Sequence, residues 1–348
     1  MTALAAAAGG LVDQMLGEPP LRWHPVARYG ATMQRIENGM YADRRANGIA
    51  FAAVGTGLGI TVGLLMRRAF GPTLATVVAT TVSAAGKMLD HEATAMGVLL
   101  HSGDLPAARQ RIRSLVGRNT DDLDANEISR AVVESVAENC VDAVTSSLVW
   151  ATIGGATGVL AHRAINTLDA MVGHHDGSTG TTRPDCTPAS TTPHPPAGNS
   201  STNKRHNHRP VNGEMPNERY ERFGWASARL DDVVNYLPAR ITALATSVVR
   251  PARAHSILQT IRRDAPRHPS PNGGVVEAAF AAALGVQFGG VNRYADEIED
   301  RGTLGDGQAP TIATIAAAVR LRQHSTATTA LLLVAVSASV RLHKRRTS

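Results

Sequence analysis

The chain has 348 residues, 43% of them hydrophobic but only 4% aromatic, and a formal net charge of +6; that length suits one large domain or two ordinary ones. Its basic residues gather at the edges of apolar runs and in one polar stretch rather than interleaving with aromatics, so no nucleic-acid partner is expected. Two cysteines without CxxC spacing, Cys140 and Cys186, exclude a disulfide framework and a zinc site.

The first residues, MTALAAAAGGLVDQML, lack the basic start and cleavage site of a signal peptide and read as a short apolar helix carrying one acid, Asp13. GEPPLRWHPVARYG sets Glu18, His24 and Arg28 among three prolines, a rigid loop in which a lone histidine is a packing or hydrogen-bonding residue about as often as a functional one. Gly48 to Met66 is uncharged, bracketed by Arg44, Arg45, Arg67 and Arg68, and matches the roughly 20 residues that cross a hydrocarbon layer. Within it Gly55, Gly59 and Gly63 recur every fourth residue, the spacing by which membrane helices approach closely. Weaker apolar runs start at Pro72, Val144 and Ser325, giving roughly four or five spans. HKRR after the last run favours a cytoplasmic C-terminus.

LPAARQRIRSLVGR places Leu105, Ala108, Ile112, Leu115 and Val116 on one face of an amphipathic helix. ANEISRAVVESVAENCVDAV then sets Arg130, Glu134, Glu138 and Asp142 at successive i+4 steps. That stripe is either a solvated face with an Arg130–Glu134 pair or a site, and three acids against one base at the border of an apolar run favour a bound cation. HRAINTLDAMVG carries Arg163, Asn166 and Asp169, the last two at i+3.

Asp176 to Pro216 contains no Leu, Ile, Phe, Trp or Tyr and cannot bury enough apolar surface to order itself. It reads as a disordered loop between residues 1–175 and 217–348, the two parts of a single membrane domain, and its histidines belong to a solvated linker. In RLDDVVNYLPAR a helix at roughly 100° per residue puts Asp231, Asp232 and Asn235 on one flank, where oxygen ligands suit a cation such as Mg²⁺. In RRDAPRHPSPNGGVVEAAFAAALG, Pro269 and Pro271 stop one helix, and the following NGG opens another whose free amides suit an anion. Strand-like alternation is scarce, so the expected fold is all-α, a multi-pass membrane protein with amphipathic helices and polar loops between spans. Gly86-Lys87 lacks the upstream glycine of a P-loop, so any phosphate site must be assembled from separate segments.

These polar stretches, GEPPLRWHPV, SRAVVESVAENCVDAV, AINTLDAMVGH, NERYERFGWASARLDDVVNYLPARITAL, RDAPRHPSPNGGVVEAAFAAALGVQFGG and YADEIEDRGTLGDG, resemble in order those of the CobD/CbiB cobalamin-biosynthesis family, described as adenosylcobinamide-phosphate synthases. In that family NTLDSMVGY passes almost directly into NERYERFG; here the polar loop intervenes and Ala170 stands for the usual serine. The resemblance implies a multi-pass enzyme of the cell membrane, its site facing the cytoplasm, that joins adenosylcobyric acid to aminopropanol or aminopropanol phosphate with ATP as co-substrate and Mg²⁺. It also implies a possible complex with other late cobalamin-assembly enzymes. The roles it implies are Mg²⁺ at Asp231, Asp232, Asn235 and Asp142, with Glu134 and Glu138 completing a second acidic face. Arg229, Arg240 and Arg263 would clamp phosphate or corrin propionates, Ser270 and Asn272 would bind phosphate, and Asn166 and Asp169 would contact the nucleotide. His24 or Glu277 would be the base. The competing readings are a membrane transport or sensor-like protein, and a Mg²⁺-dependent intramembrane prenyl transferase with an aspartate-rich motif.

Overall fold

A computed structural model describes residues 2–17, 24–113, 120, 122–173, 220–294 and 297–347, with the side chains of 291–301 excepted. The expected loop from Asp176 to Pro216 lies outside the described residues, as do Leu115 and Val116. The architecture is all-α except for one small antiparallel hairpin. In chain order the helices are α1 (Thr2–Leu16), α2 (Pro25–Met40), α3 (Arg45–Ser83), α4 (Gly86–His101), α5 (Leu105–Ile112), α6 (Ala125–Asn139), α7 (Ser146–Val172), α8 (Trp225–Val249), α9 (Ala254–Asp264), α10 (Gly273–Leu284) and α11 (Ile312–Thr347). The hairpin, β1 (Phe288–Tyr294) and β2 (Glu297–Leu304), falls between α10 and α11. Helical periodicity gave no warning of it, because its strands are short and interrupted by glycines.

Among the described residues three segments are long and apolar enough to cross a membrane: Arg45–His101, Ala125–Val172 and Ile312–Thr347. The first two double back. Gly71, at φ +74°, reverses α3 just before Pro72. A straight helix would separate Leu58 from Val82 by about 36 Å at 1.5 Å per residue, yet both line one cavity. Gly155, at φ +60° and ψ −147°, does the same in α7. There a straight helix would hold Ser146 and His162 about 24 Å apart, whereas both touch the side-chain oxygen of Asn235. Only glycine takes these backbone angles without cost.

The first arm of α3 lies directly on the second arm of α7. A Cβ at Gly63 would fall 2.5 Å from Thr157 Cα, and one at Gly59 would fall 2.7 Å from the Leu160 carbonyl oxygen. The every-fourth-residue glycine spacing therefore makes the close backbone approach that it predicts.

The main core is alanine-rich and gathers α4, α6, α9, α10 and α11 around Met96, Ile128, Ile257, Phe280 and Phe288. Helix α10 is enclosed from Gly273 to Ala283. A buried polar joint fastens α1, α4 and α11. Arg322, 1% exposed, grips Asp90 with Nε–Oδ1 at 2.7 Å and Nη2–Oδ2 at 2.6 Å. Gln14 and Gln323 also donate to Asp90, while Asp13 accepts the amide of Gly86 and so caps α4. The one acid of the first apolar helix is thus matched to an orphan helix donor.

The chain leaves at Gly173 and returns at Tyr220, and these points are neighbours: a Cβ at Gly224 would lie 1.6 Å from the Val172 carbonyl oxygen. Tyr220 donates to the buried carboxylate of Glu37 at 2.6 Å, fixing the return. Replacing residues 176–216 with a short Gly-Ser linker is expected to leave the thermal midpoint unchanged or slightly higher, because each halving of a flexible connection saves about 0.6 kcal/mol of closure entropy. Aggregated or unfolded protein would instead mean that these residues belong to the packed body.

Candidate functional site

Helix α8 carries the centre of the site. Pro238 in its interior cannot donate to the carbonyl of Val234, and that carbonyl accepts from Trp150 Nε1 at 3.0 Å instead. This contact sets the first arm of α7 against α8 at the level of Asn235, which is fully buried. Asn235 Oδ1 accepts from Ser146 Oγ at 2.7 Å and from His162 Nε2 at 2.8 Å. Its Nδ2 then donates to Asp231 Oδ2 at 2.9 Å. The other oxygen, Asp231 Oδ1, accepts from Asn166 Nδ2 at 3.4 Å, and Asn166 Oδ1 in turn accepts from Arg163 Nη1 at 3.3 Å. Two amides thus orient the Asp231 carboxylate. Because Asn235 Oδ1 already takes two hydrogen bonds, Asn235 positions Asp231 rather than offering its own oxygen to a cation.

Around Asp231 other carboxylates converge. Asp142 lies in the electrostatic field of Asp231, Glu138 and Asp169, opposed by Arg163. Asp169 feels Asp231, Asp232 and Glu138. Burial, with Asp232 and Glu138 adding to it and against the pull of Asn235 and Asn166, raises the Asp231 carboxyl to about 6. Asp232 is also raised by burial, with Arg229, 3.4 Å away, working against the shift.

A π-helical turn, Cys140–Thr145, separates α6 from α7. It breaks the i+4 register expected from Arg130 to Asp142 and turns Asp142 into the acid group, a common use of such turns at functional sites. The upper part of that stripe does other work. Arg130 donates to the Gly289 carbonyl, and Glu134 Oε1 accepts the Gly289 amide at 2.7 Å, so the pair holds β1 on α6. Their own separation is 4.0 Å.

A second set of the expected residues ties α8 to the start of α10. Arg240 stacks over the Tyr236 ring at 3.6 Å and donates to Asn272 Oδ1 at 2.6 Å and to the Pro271 carbonyl at 3.1 Å. Asn272 Nδ2 donates to the Asp232 carbonyl at 2.8 Å. Ser270 Oγ accepts the Gly273 amide at 3.0 Å, so part of the helix start expected to receive an anion is capped by the chain itself. His268 Nδ1 accepts the Ser270 amide, leaving Nε2 facing Glu277 Oε1 at 3.6 Å. Arg263 is committed elsewhere. It pairs with Asp264 and Asp306, its hydrogen bonds holding the Asp264 carboxyl below the usual range while Asp264 caps the Gly305 amide. His24 caps α2, its Nδ1 accepting the Val26 amide at 3.2 Å.

The fold therefore unites Glu138, Asp142, Asn166, Asp169, Asp231, Asp232 and Asn235, with Arg229, Arg240 and Asn272 at one edge. Glu134 and Arg263 are turned to the hairpin and the loop after it. Sequence reasoning passed over Ser146, Trp150 and His162, although Pro238 signals a freed carbonyl in search of a donor.

Among the described residues no three His, Cys, Asp or Glu side chains form a metal-holding group. Mg²⁺ needs no such cage, since it keeps waters and binds through one or two carboxylates plus substrate phosphates. The donor set fits it, being all oxygen and short of compensating cations.

A family model described as CobD/Cbib protein matches residues 6–180 and 215–322, passing over most of the polar insertion. A Mycobacterium tuberculosis protein named cobalamin biosynthesis protein CobD is 37% identical over 335 residues, 94% of each chain. Proteins of the same name from Rhodobacter capsulatus and Chromobacterium violaceum are 35% identical over 86% of this chain and 85% of theirs, and 34% identical over 89% of each. No solved structure matches the chain.

Asn235→Leu is expected to be among the most damaging polar substitutions. It strands Ser146 Oγ, His162 Nε2 and Asp231 Oδ2, and each buried group left unpaired costs about 1–3 kcal/mol. Asn166→Ala, which loses two long contacts, 3.4 Å to Asp231 and 3.3 Å from Arg163, should cost less, about 1 kcal/mol. Thermal denaturation of the two variants in detergent compares them directly, and equal losses would refute the ordering.

Proposed function

The chain belongs to the CobD/Cbib family, and on that premise, within cobalamin biosynthesis, we propose that it is the ATP-dependent ligase that joins adenosylcobyric acid to aminopropanol or aminopropanol phosphate. The observation that carries this reading is the convergence of carboxylates on Asp231 beside arginines at one edge.

A free propionate is a poor acyl donor, because its leaving group would be oxide. Its oxygen attacks the terminal phosphorus of ATP, ADP departs, and the acyl phosphate so formed accepts the amine nitrogen with loss of phosphate. Mg²⁺, when bound, neutralises charge developing on the phosphates, and Asp231 with Asp142 or Asp169 would hold it. Asn235 and Asn166 keep the Asp231 oxygens aimed. Arg229 and Arg240, on the open side of α8, steady phosphate or corrin propionate oxygens. The amine must lose a proton as it attacks. Glu138 is exposed and shares the field of the cluster, whereas His24 is taken up in capping α2 and Glu277 faces His268. We therefore assign the proton to Glu138.

With adenosylcobyric acid, aminopropanol phosphate and Mg-ATP, purified protein in detergent is expected to form a new amide and release one phosphate per turnover. Asp231→Asn should slow turnover by about 10²–10³-fold with the thermal midpoint held or raised. Folded protein that makes no amide would sink the reading in favour of transport or sensing.

Divalent-ion affinity should depend on pH. The Asp231 carboxyl is neutral below about 6 and ionised above it, so Mn²⁺ binding, followed by electron paramagnetic resonance without nucleotide, should weaken as pH falls through that value. The dependence should flatten in Asp231→Asn. In metal-free protein the same raised value places the stabilising contribution at low pH, to be lost as pH rises toward 6.

A further inference from the structure

Helix α8, which carries Arg229, Asp231, Asp232 and Arg240, is not among the three long apolar segments, yet its outer face is apolar. Leu230, Val233, Leu237, Leu244 and Val248 are all exposed, Val233 to 72%, and fall within an arc of roughly 60° at about 100° per residue. The opposite face, with Asn235, Ala239, Thr242 and Thr246, is buried in the bundle. A stripe of this length left uncovered by the described residues marks a surface that meets something other than water. Contacts along α8 fix its level. Trp225 lies under Arg45, ring centroid to guanidinium 5.1 Å, at the arginine pair that opens the uncharged run of α3. From there α8 runs beside the second arm of α7, Asp231 meeting Asn166 and Asn235 meeting His162. The same arm packs on α3, where a Cβ at Gly59 would fall 2.8 Å from Ala164 Cβ. Val233, between Asp231 and Asn235, is therefore level with Gly59, inside the run Gly48 to Met66 that matches a hydrocarbon layer.

We propose that the outer face of α8 at Leu230, Val233 and Leu237 is seated against the acyl chains of the bilayer, with Trp225 and Arg45 at the level of the headgroups. Two observations favour lipid over a second protein. The stripe shares its depth with the first arm of α3, where Ile49, Val54 and Leu64 also stand exposed. Its near end is the pairing of a tryptophan with an arginine, the residue types that anchor helices at the membrane boundary, and Arg229, one turn from Trp225, can extend its stem to the same boundary. This bilayer contact is additional to the three long segments. It sets the acid cluster, on the opposite face of the same turns, one helix diameter or about 10 Å from lipid. The inference does not depend on the ligase reading, and its test requires no turnover.

Cys186→Ser leaves the buried Cys140 as the one native thiol, and a nitroxide is then attached at Val233→Cys or Leu237→Cys in the full chain, reconstituted in phosphatidylcholine nanodiscs. Leu64→Cys on α3 serves as the lipid reference, Gln308→Cys in the exposed loop before α11 as the aqueous one, and the chain with no added cysteine sets the background. Electron paramagnetic resonance power saturation compares collision with oxygen, which concentrates among acyl chains, and with a polar nickel chelate, which stays in water. At Val233 and Leu237 the oxygen-to-nickel ratio should exceed that at Gln308 several-fold and match that at Leu64, with circular dichroism unchanged. A ratio equal to that at Gln308 would overturn the proposal in favour of a water-facing stripe, and weak collision with both reagents would overturn it in favour of a protein partner. Where one labelled chain does not fold, the other position decides.

Discussion

Asp231 is half-buried among helices that give it two amide donors and surround it with further carboxylates. A carboxylate in that position carries a desolvation cost that amides only partly offset, and neighbouring negative charge adds to it. The bundle tolerates this because Asn235 is itself pinned on three sides, by Ser146, His162 and Asp231. Stability held back in this way is the ordinary mark of a candidate functional site.

A second buried charge group shows the opposite solution. Asp90 meets Arg322 through two hydrogen bonds of 2.7 and 2.6 Å, with Gln14 and Gln323 filling out its coordination. Charge there is balanced inside the chain, and the result is a joint between α1, α4 and α11. Removing either partner would strand a buried charge, the costly case for such pairs. The contrast gives a rule for this molecule: where acid and guanidinium match, the network fastens helices, and where acids outnumber them, it forms the candidate site.

Both groups depend on breaks in helices that composition alone would leave continuous. The reversal at Gly155 lets Ser146 and His162 reach one amide oxygen, and the π turn after Asn139 carries Asp142 out of the Arg130 stripe. Ala85 donates to the Ala143 carbonyl at 3.1 Å, joining the gap before α4 to the π turn across the packed interface.

Local chemistry made much of this legible beforehand. Uncharged runs bracketed by arginines, glycines at every fourth residue and the absence of strand alternation follow from side-chain transfer energies and helix geometry. They require no knowledge of what lies opposite, so the helical class, a close helix contact along the α3 glycines and the family resemblance were open to reading, though not which helix makes that contact. The flank of Asp231, Asp232 and Asn235 was visible for the same reason. Partnerships across long stretches of chain were not, because residue spacing says nothing about where a helix turns back. Thus Arg322 found Asp90, Glu134 and Arg130 went to the hairpin, and Asn235 became the support of Asp231 instead of a ligand beside it. The support of Asn235 and the place of Asp142 were decided by Gly155 taking a positive φ and by one extra residue in a helical turn, changes too small to alter any periodic pattern but large enough to redirect the side chains beyond them; the other pairings were decided by how distant helices pack.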